Sequence, residues 1–377
     1  IAAGIGGRLS GRGSVTVEEV VVDSRLAGPG ALFVAMRGEH VDGHAYAAGA
    51  LDAGAAAVVV DRPLPVEPRI EVPDTATALR DLAIMRRNEV TSPVVAVTGS
   101  TGKTSTKDLL AAALPGAAAS PKSYNNEVGV PLTVLGAPDA DYLVVEVGSR
   151  GTGHIAWLMP AVRPDVSIIT NLGVVHLETF GTVEALADAK WELVAGLGDS
   201  GTAVLPIDEP RLRRSHPGAT LTFGRDAAAD VAVAGAALAD AGCACFTLVT
   251  PVGRARVRLP LAGEHQVLNA AAATAAGLAL GVPLGGLAEG LERATGSAWR
   301  MEIHRGRFTV VNDAYNANPD SVRAALRTVA GLPGRHVAVL GKMAELGTVE
   351  AEEHRRMGAE ARRRGYAVVV TVGEDPG

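Results

Sequence analysis

The chain has 377 residues, 47% of them hydrophobic, 20% charged and only 3% aromatic, with a formal net charge of −6 at pH 7. That length asks for two or three domains, the scarce aromatics ask for cores of Ala, Val and Leu, and the acidic balance gives no electrostatic reason to bind nucleic acid or an anionic membrane. The longest apolar run, Ala270 to Val282, is too short to span a bilayer, and no charged stretch followed by an apolar one opens the sequence; the expectation is a cytoplasmic protein with no membrane insertion.

Residues 1–90 read as a small α/β unit. A strand ends in Asp23-Ser24-Arg25, a turn follows at Gly28-Pro29-Gly30, and ALFVAMRG is a second strand; VDGHAYAAGALDAGA has helical spacing and AAVVVD is a third strand. Ser24 and Arg25 at a strand end could hold a uridine-like ring or a diphosphate, since Arg pairs with phosphate bidentately. They could equally be a turn-capping serine and a solvated arginine. Residues 75–88 (TATALRDLAIMRRN) read as a helix, and Thr91-Ser92-Pro93 punctuates the boundary to the next unit, 91–296.

That unit opens with 94–110, VVAVTGSTGKTSTKDLL: a β-branched run, a small-residue turn and a helix start. A polyphosphate must approach backbone N–H groups closely, which glycine allows and Cβ atoms obstruct. The helix N-terminus adds unpaired donors and a positive dipole end. Gly99, Ser100, Thr101, Gly102 and Ser105 form the cradle, Lys103 can reach the β- and γ-phosphates, and the Thr104 hydroxyl can ligate a magnesium ion. The usual first glycine of such a loop would stand at 97, where this chain has Val97, so the loop is a shortened one.

From 94 to about 296 strands alternate with helices, the pattern of a mostly parallel sheet covered on both faces. After PKSYNNEVGVPLTVL, with Asn125 and Asn126 adjacent, YLVVEVGS (142–149) is a buried strand carrying Glu146 near its C-terminal end. Ligands in open α/β sheets bind there, so Glu146 is set to meet a metal beside the phosphate loop. PDVSIITNLGVVHLETFG (164–181) repeats the arrangement, with Asn171, His176 and Glu178 on the loop after its strand; the place of His176 suits magnesium ligation or phosphate contact. Residues 182–197 are helical, and Lys190, like most mid-helix lysines, is expected on the solvent face. Residues 201–260 carry short β-like runs with no evident chemistry, a β-rich extension of the central unit. Cys243 and Cys245, two apart on one of these runs, share a strand face and read as buried free thiols. In GEHQVLNAAAATAAGLALGV, His265 and Asn269 fall on one helical face, where an amide could read an adenine edge or serve a capping turn.

A third unit, 297–377, gives a strand to Val311, a polar loop at 312–320, and a helix signalled by Asn318-Pro319-Asp320-Ser321; two further strands and a helix follow. The expectation is a second doubly wound sheet that lacks its last elements.

Taken together these motifs resemble the Mur ligase family, over essentially the whole chain: DSR with PGALFVAMRGEHVDGH, TGSTGKTSTK, NNEVGVPLTVL, EVGSRGTGHI, TNLGVVHLETFG, ADAKWEL, EHQVLNAAAA, DAYNANPDS and LGKMAELG. The TGxxGKT loop is general to that family and to folylpolyglutamate synthetases. DAYNANPDS points to the branch that adds D-alanyl-D-alanine, since diamino-acid-adding relatives typically carry an AH-x-P form there. The resemblance implies three α/β domains: a UDP-substrate domain, a central ATP-binding P-loop domain and a Rossmann-like C-terminal domain. It implies an ATP-dependent amide ligase, a monomer, that activates the terminal carboxylate of UDP-N-acetylmuramoyl-tripeptide as an acyl phosphate and joins D-alanyl-D-alanine to it.

By the same resemblance Lys103, His176 and Lys190 are catalytic. One magnesium ion is held through Thr104 and Glu146, and a second near His176 and Lys190, the lysine converted to a carbamate. Asn269, Arg300, Asp313 and Asn316 match positions that hold the nucleotide. Asn125 and Asn126 match the muramoyl-peptide site, and Ser24 with Arg25 the uridine diphosphate site. Two departures stand out: Trp191 where glycine is common, and Lys342 where an acid is common. A diamino-acid-adding ligase of the same fold and a non-catalytic nucleotide-binding cell-wall protein are the alternatives.

Overall fold

A computed structural model of the chain describes residues 1–373 apart from 12, 14, 39, 138, 174–179 and 239–241. The first sheet has five strands, β1 (Arg8–Ser10), β2 (Glu19–Val21), β3 (Ala31–Val34), β4 (Ala57–Val60) and β5 (Arg69–Glu71), in the order β1-β5-β4-β3-β2. β2 to β5 run parallel and β1 antiparallel at the edge. The three apolar strands are those the sequence signals. β1 and β5 are three-residue strands rich in charge, held partly by Arg8 and Arg69, which both pair with Glu71 at 3.3 and 2.8 Å; so short and polar a run carries no alternation to read.

The helix Thr75–Arg87 starts where Asp74 accepts a hydrogen bond from Thr77 N at 2.6 Å, an N-cap that satisfies one of the free donors of the first turn. It packs Leu79 and Leu82 on the first sheet, and on its other side Ala83 meets Val134 and Ala161 of the central unit. At its end the buried Arg87 guanidinium donates to three carbonyls, Val162 at 2.8 Å, Val90 at 2.7 Å and Arg163 at 2.9 Å.

The central sheet has nine strands: β6 (Val94–Thr98), β7 (Ala117–Ala119), β8 (Tyr142–Glu146), β9 (Val166–Ile169), β10 (Thr202–Pro206), β11 (Ala219–Gly224), β12 (Val231–Leu238), β13 (Cys243–Thr250) and β14 (Gly253–Ala262), in the order β14-β13-β12-β11-β10-β9-β6-β8-β7. Pairing is parallel from β7 through to β12, then antiparallel through β13 and β14, which form the β-rich extension. Helices Lys103–Ala113, Gln266–Ala279 and Leu284–Glu292 cover one face through Leu109, Leu110, Ala271 and Leu287. Helices His154–Val162 and Val183–Ala195 cover the other through Ile155, Leu158 and Leu193. β6 is therefore buried along its whole length, each such valine contributing about 1.5–3 kcal/mol from lost apolar surface. Cys243 and Cys245 are free, but they lie on the half-buried face of β13, across a register shift, rather than in the core.

In the third unit β15 (Glu302–Arg305) and β16 (Thr309–Asn312) form an antiparallel hairpin where one strand is expected, because the chain reverses at Gly306-Arg307-Phe308 and Gly306 N donates to Phe308 O at 3.1 Å. The helix Pro319–Ala330 begins at the signalled place, Asn318 and Ser321 capping each other reciprocally. β17 (Val337–Leu340) and β18 (Val368–Thr371) pair in parallel across the helix Glu350–Arg363. Among the described residues the expected doubly wound sheet is thus a parallel pair with the hairpin standing apart. None of the helices described is long and apolar enough to cross a membrane.

Candidate active site

β6 lies between β8 and β9, and the register sets Val97 opposite Glu146 and Thr98 opposite Ile169. The carboxyl ends of three adjacent parallel strands therefore finish level, and a side chain just past any one of them can meet the others. Past β6 the chain turns through two glycines that have no substitute. Gly99 has φ +147, and a Cβ there would sit 1.9 Å from Thr170 Oγ1; Gly102 has φ +78, and a Cβ would sit 2.5 Å from Asn269 Oδ1. The second contact also brings Asn269, on the helix Gln266–Ala279, against the phosphate loop.

The end of β9 clamps the loop from the other side. Thr170 Oγ1 donates to Thr101 O at 2.6 Å, Asn171 Oδ1 accepts from Thr101 N at 2.9 Å, and Asn171 O accepts from Ser100 N at 3.1 Å. Thr170 is a positioning residue that no motif in the sequence singles out. Thr104 is 2% exposed and Ser105 half-buried at the helix start. Lys103 folds back, its Nζ donating to Gly99 O at 2.7 Å and Ser100 O at 3.3 Å. Burial lowers its pKa, the Glu146 charge works against that, and Arg300 adds to it.

Glu146 is 1% exposed, as its valine neighbours predict. Its Oε1 accepts from Asn125 Nδ2 at 2.7 Å and its backbone N–H donates to Ser120 Oγ at 3.0 Å. Its Oε2 is buried and has no hydrogen-bond partner among the described residues, a costly condition unless another species completes it. No group of three or more His, Cys, Asp or Glu side chains among the described residues forms a closed cage. A hydroxyl and one carboxylate beside a phosphate cradle fit magnesium, which takes few protein ligands and fills its octahedron with water and phosphate oxygens.

Lys190 is 1% exposed, against the expectation of a solvent-facing lysine. The reason was present in the sequence: Leu186, Ala189, Lys190 and Leu193 follow the helical period, and all four are buried. Burial, with the nearby Lys103 charge, pushes the Lys190 pKa well below the lysine range, and Glu192 opposes this. Glu192 itself caps the helix His154–Val162, accepting from Gly153 N and from Ala156 N. His176 and Glu178 lie outside the described residues.

From the third unit, Arg300 stacks on Tyr315 at 4.2 Å, donates to Ser123 Oγ at 3.3 Å and buries an Nε that has no partner among the described residues. Asp313 accepts from Met301 N at 3.0 Å; burial lifts its pKa to about 6 against the opposing effects of that bond and of Arg300. Asn316 is exposed, its Oδ1 accepting from Ala317 N at 2.9 Å. His265 is desolvated and its pKa falls to about 4.

Two pairs named from the sequence do structural work here. Asn126 Oδ1 accepts from Gly129 N at 2.8 Å and starts the helix Gly129–Leu135. Arg25 is exposed and forked onto Asp23, with Nη2 to Oδ2 at 2.6 Å, which holds the Asp23 carboxyl down near 2. Ser24 opens the short turn after β2, in the first unit. Lys342 pairs with Glu350 at 2.9 Å.

Comparison with known proteins gives three family matches: the Mur ligase middle domain over residues 97–277, the Mur ligase glutamate ligase domain over 299–377, and the Mur ligase family catalytic domain over 16–87. The chain is 35% identical to the UDP-N-acetylmuramoyl-tripeptide–D-alanyl-D-alanine ligase of Escherichia coli K12, over 98% of this chain and 84% of that protein. It is 36% identical to the ligase of the same name from Bacillus subtilis, over 91% and 77%. Among solved structures it resembles MurF from Acinetobacter baumannii, with a TM-score of 0.92 and 33% identity over 99% of this chain and 84% of that one. It also resembles MurF from Thermotoga maritima in complex with ADP, with a TM-score of 0.84 and 28% identity over 96% and 89%.

Proposed function

The chain belongs to the Mur ligase family, and from that premise we propose how its residues carry the reaction. It is an ATP-dependent ligase that joins D-alanyl-D-alanine to the terminal carboxylate of UDP-N-acetylmuramoyl-tripeptide in peptidoglycan synthesis. The observation that supports the assignment is the buried set Thr104, Glu146 and Lys190 beside the Gly99–Gly102 cradle, with Lys103 folded back on that loop.

A carboxylate is a poor electrophile until one oxygen becomes a good leaving group. The tripeptide carboxylate attacks the γ-phosphorus of ATP, forming an acyl phosphate and releasing ADP. The amine of D-alanyl-D-alanine then attacks the acyl carbon, an amide bond forms, and phosphate leaves with the former carboxylate oxygen. Two anions must meet, so fixed positive charge has to be concentrated there. Lys103 supplies part of it, and the cradle N–H groups supply more.

Magnesium, when bound, screens the phosphate oxygens from one another; Thr104 and Glu146 would hold one ion, and His176 with Lys190 a second. The depressed pKa of Lys190 supports its modification, because a neutral amine can add to carbon dioxide, giving a carbamate and a released proton. Asn269, Arg300, Asp313 and Asn316 take the nucleotide. Asn125 and Asn126 line the muramoyl-peptide path, and Ser24 with Arg25 take the uridine diphosphate once the guanidinium exchanges Asp23 for phosphate. The division 1–90, 91–296 and 297–377 follows these tasks, and a cytoplasmic monomer is the corresponding setting.

Phosphate release measured with ATP and UDP-N-acetylmuramoyl-tripeptide, with and without D-alanyl-D-alanine, tests the reading. Sustained release is expected only with the dipeptide; release indifferent to it would overturn the ligase assignment. Incorporation of 13C-bicarbonate into a Lys190-dependent carbamate resonance is the separate check on the modification.

A further inference from the structure

One turn beyond Lys103, Lys107 lies on the buried stripe of the P-loop helix and is 3% exposed. Its Nζ donates to Ser120 O at 2.9 Å and to Lys122 O at 3.1 Å, and stands 2.9 Å from Asp108 Oδ1. An ammonium in a stripe otherwise made of Leu, Ala and Thr is expensive to desolvate, so its partners indicate what it is for. Both carbonyls belong to the loop after β7, and that loop holds Glu146 twice. Ser120 Oγ accepts from Glu146 N at 3.0 Å, and Asn125 Nδ2 donates to Glu146 Oε1 at 2.7 Å. Between these two, Lys122 has φ 49, a left-handed conformation that a side-chain-bearing residue keeps only when its surroundings impose it. The bond from Lys107 to the Lys122 carbonyl is such a restraint.

We propose that Lys107 is a positioning residue for Glu146. It ties the P-loop helix to the loop that fixes both the backbone and the carboxylate of Glu146, so that Oε2, without a partner among the described residues, is held ready for the ion that Thr104 would share. The proposal rests on the assignment of Thr104 and Glu146 as the magnesium pair. Lys107 acts on Glu146 through the loop, by way of Ser120, Lys122 and Asn125. Asp108 balances its charge and also accepts from Ser297 Oγ at the junction with the third unit.

The test compares wild type with Lys107→Met, which keeps the length and loses the donors, and Lys107→Arg, which keeps donors. Binding of a fluorescent ADP analogue is measured across a magnesium titration and in its absence, with a thermal melt on each variant. For Lys107→Met the expected result is magnesium-free ADP affinity within about twofold of wild type and a magnesium requirement raised about tenfold or more, as outer-shell changes typically give. Lys107→Arg should recover part of that shift. An unchanged magnesium requirement in folded Lys107→Met overturns the proposal. So does an equal loss of ADP affinity with and without magnesium, which would make Lys107 a support of the P-loop alone.

If Lys107→Met does not fold, Ser120→Ala reads the same linkage. It should raise the magnesium requirement several-fold, and no rise would overturn the proposal. A wild type whose ADP affinity ignores magnesium overturns the Thr104–Glu146 assignment, and the role of Lys107 falls with it.

Discussion

The central sheet and the third unit are made from the same kind of residue and are exposed in opposite ways. β6, VVAVT, is buried throughout, whereas in β17 and β18, VAVL and VVVT, Val337 is 52%, Val339 66% and Val370 43% exposed. The difference lies in the layers rather than in the strands: helices cover both faces of β6, while among the described residues the parallel pair β17–β18 is packed through Ala338 on Leu326 and Ala361 of the two neighbouring helices. It carries over to chemistry. Of the proposed site groups, Thr104, Glu146 and Lys190 on the central unit are buried, while Arg300 and Asp313 are half-buried and Asn316 is exposed. Rigid groups suit the charge-stabilising part of a reaction, and adaptable ones suit a substrate that enters and leaves.

Substitutions in the two regions should therefore differ in kind. The largest effect is expected for Lys103→Ala: kcat falls by about 10³-fold with little change in Tm, and retention of amide formation would break the comparison outright. Next, Gly99→Ala places a Cβ on Thr170 Oγ1; ADP affinity, read by calorimetry, should fall at least about tenfold, in line with strain of a few kcal/mol, and Tm should drop with it.

In the third unit the effect should be conditional. Asp313 has a pKa raised from 3.8 to about 6, so the KM for ATP should rise as pH falls below about 6, and Asp313→Asn should remove that inflection. The stability sign is opposite. The folded state keeps a proton that the unfolded carboxyl loses, so the Asp313 contribution to stability falls as pH rises through the window between those two values, and melts of wild type and Asp313→Asn should diverge there. The smallest effect is for Lys342→Ala, which removes an exposed ion pair with Glu350; denaturant melts should change by less than about 1 kcal/mol.

Much of this was legible in the sequence, and the boundary of what was legible is physical. The strand, turn and helix of 94–110 could be read because each local signal agreed with the others. Glu146 could be read because apolar neighbours make a lone carboxylate conspicuous. The burial of Lys190 is written in the spacing of Leu186, Ala189 and Leu193, which names its face, and not in the usual solvent placement of mid-helix lysines. Thr170 and Lys107 act by donating to backbone carbonyls, and no residue pattern announces which carbonyl a loop will present. The β15–β16 hairpin was missed because Gly306-Arg307-Phe308 lacks the Asn-Gly or Asp-Gly dipeptide that marks a tight turn. Arg25, open in the sequence to a diphosphate contact or to a solvated turn, is exposed and paired with Asp23 two residues earlier.

The three carbonyls gripped by Arg87 bear on the mechanics of the whole molecule. The helix Thr75–Arg87 shares its core with the central unit, so the first junction is both packed and bonded, whereas at the second Trp299 and Met301 take positive φ. The first unit is thus joined to the central one through a shared core and main-chain bonds, the third through side-chain bonds alone among those named: Ser297 to Asp108, Arg300 to Ser123 and Arg327 to Glu264.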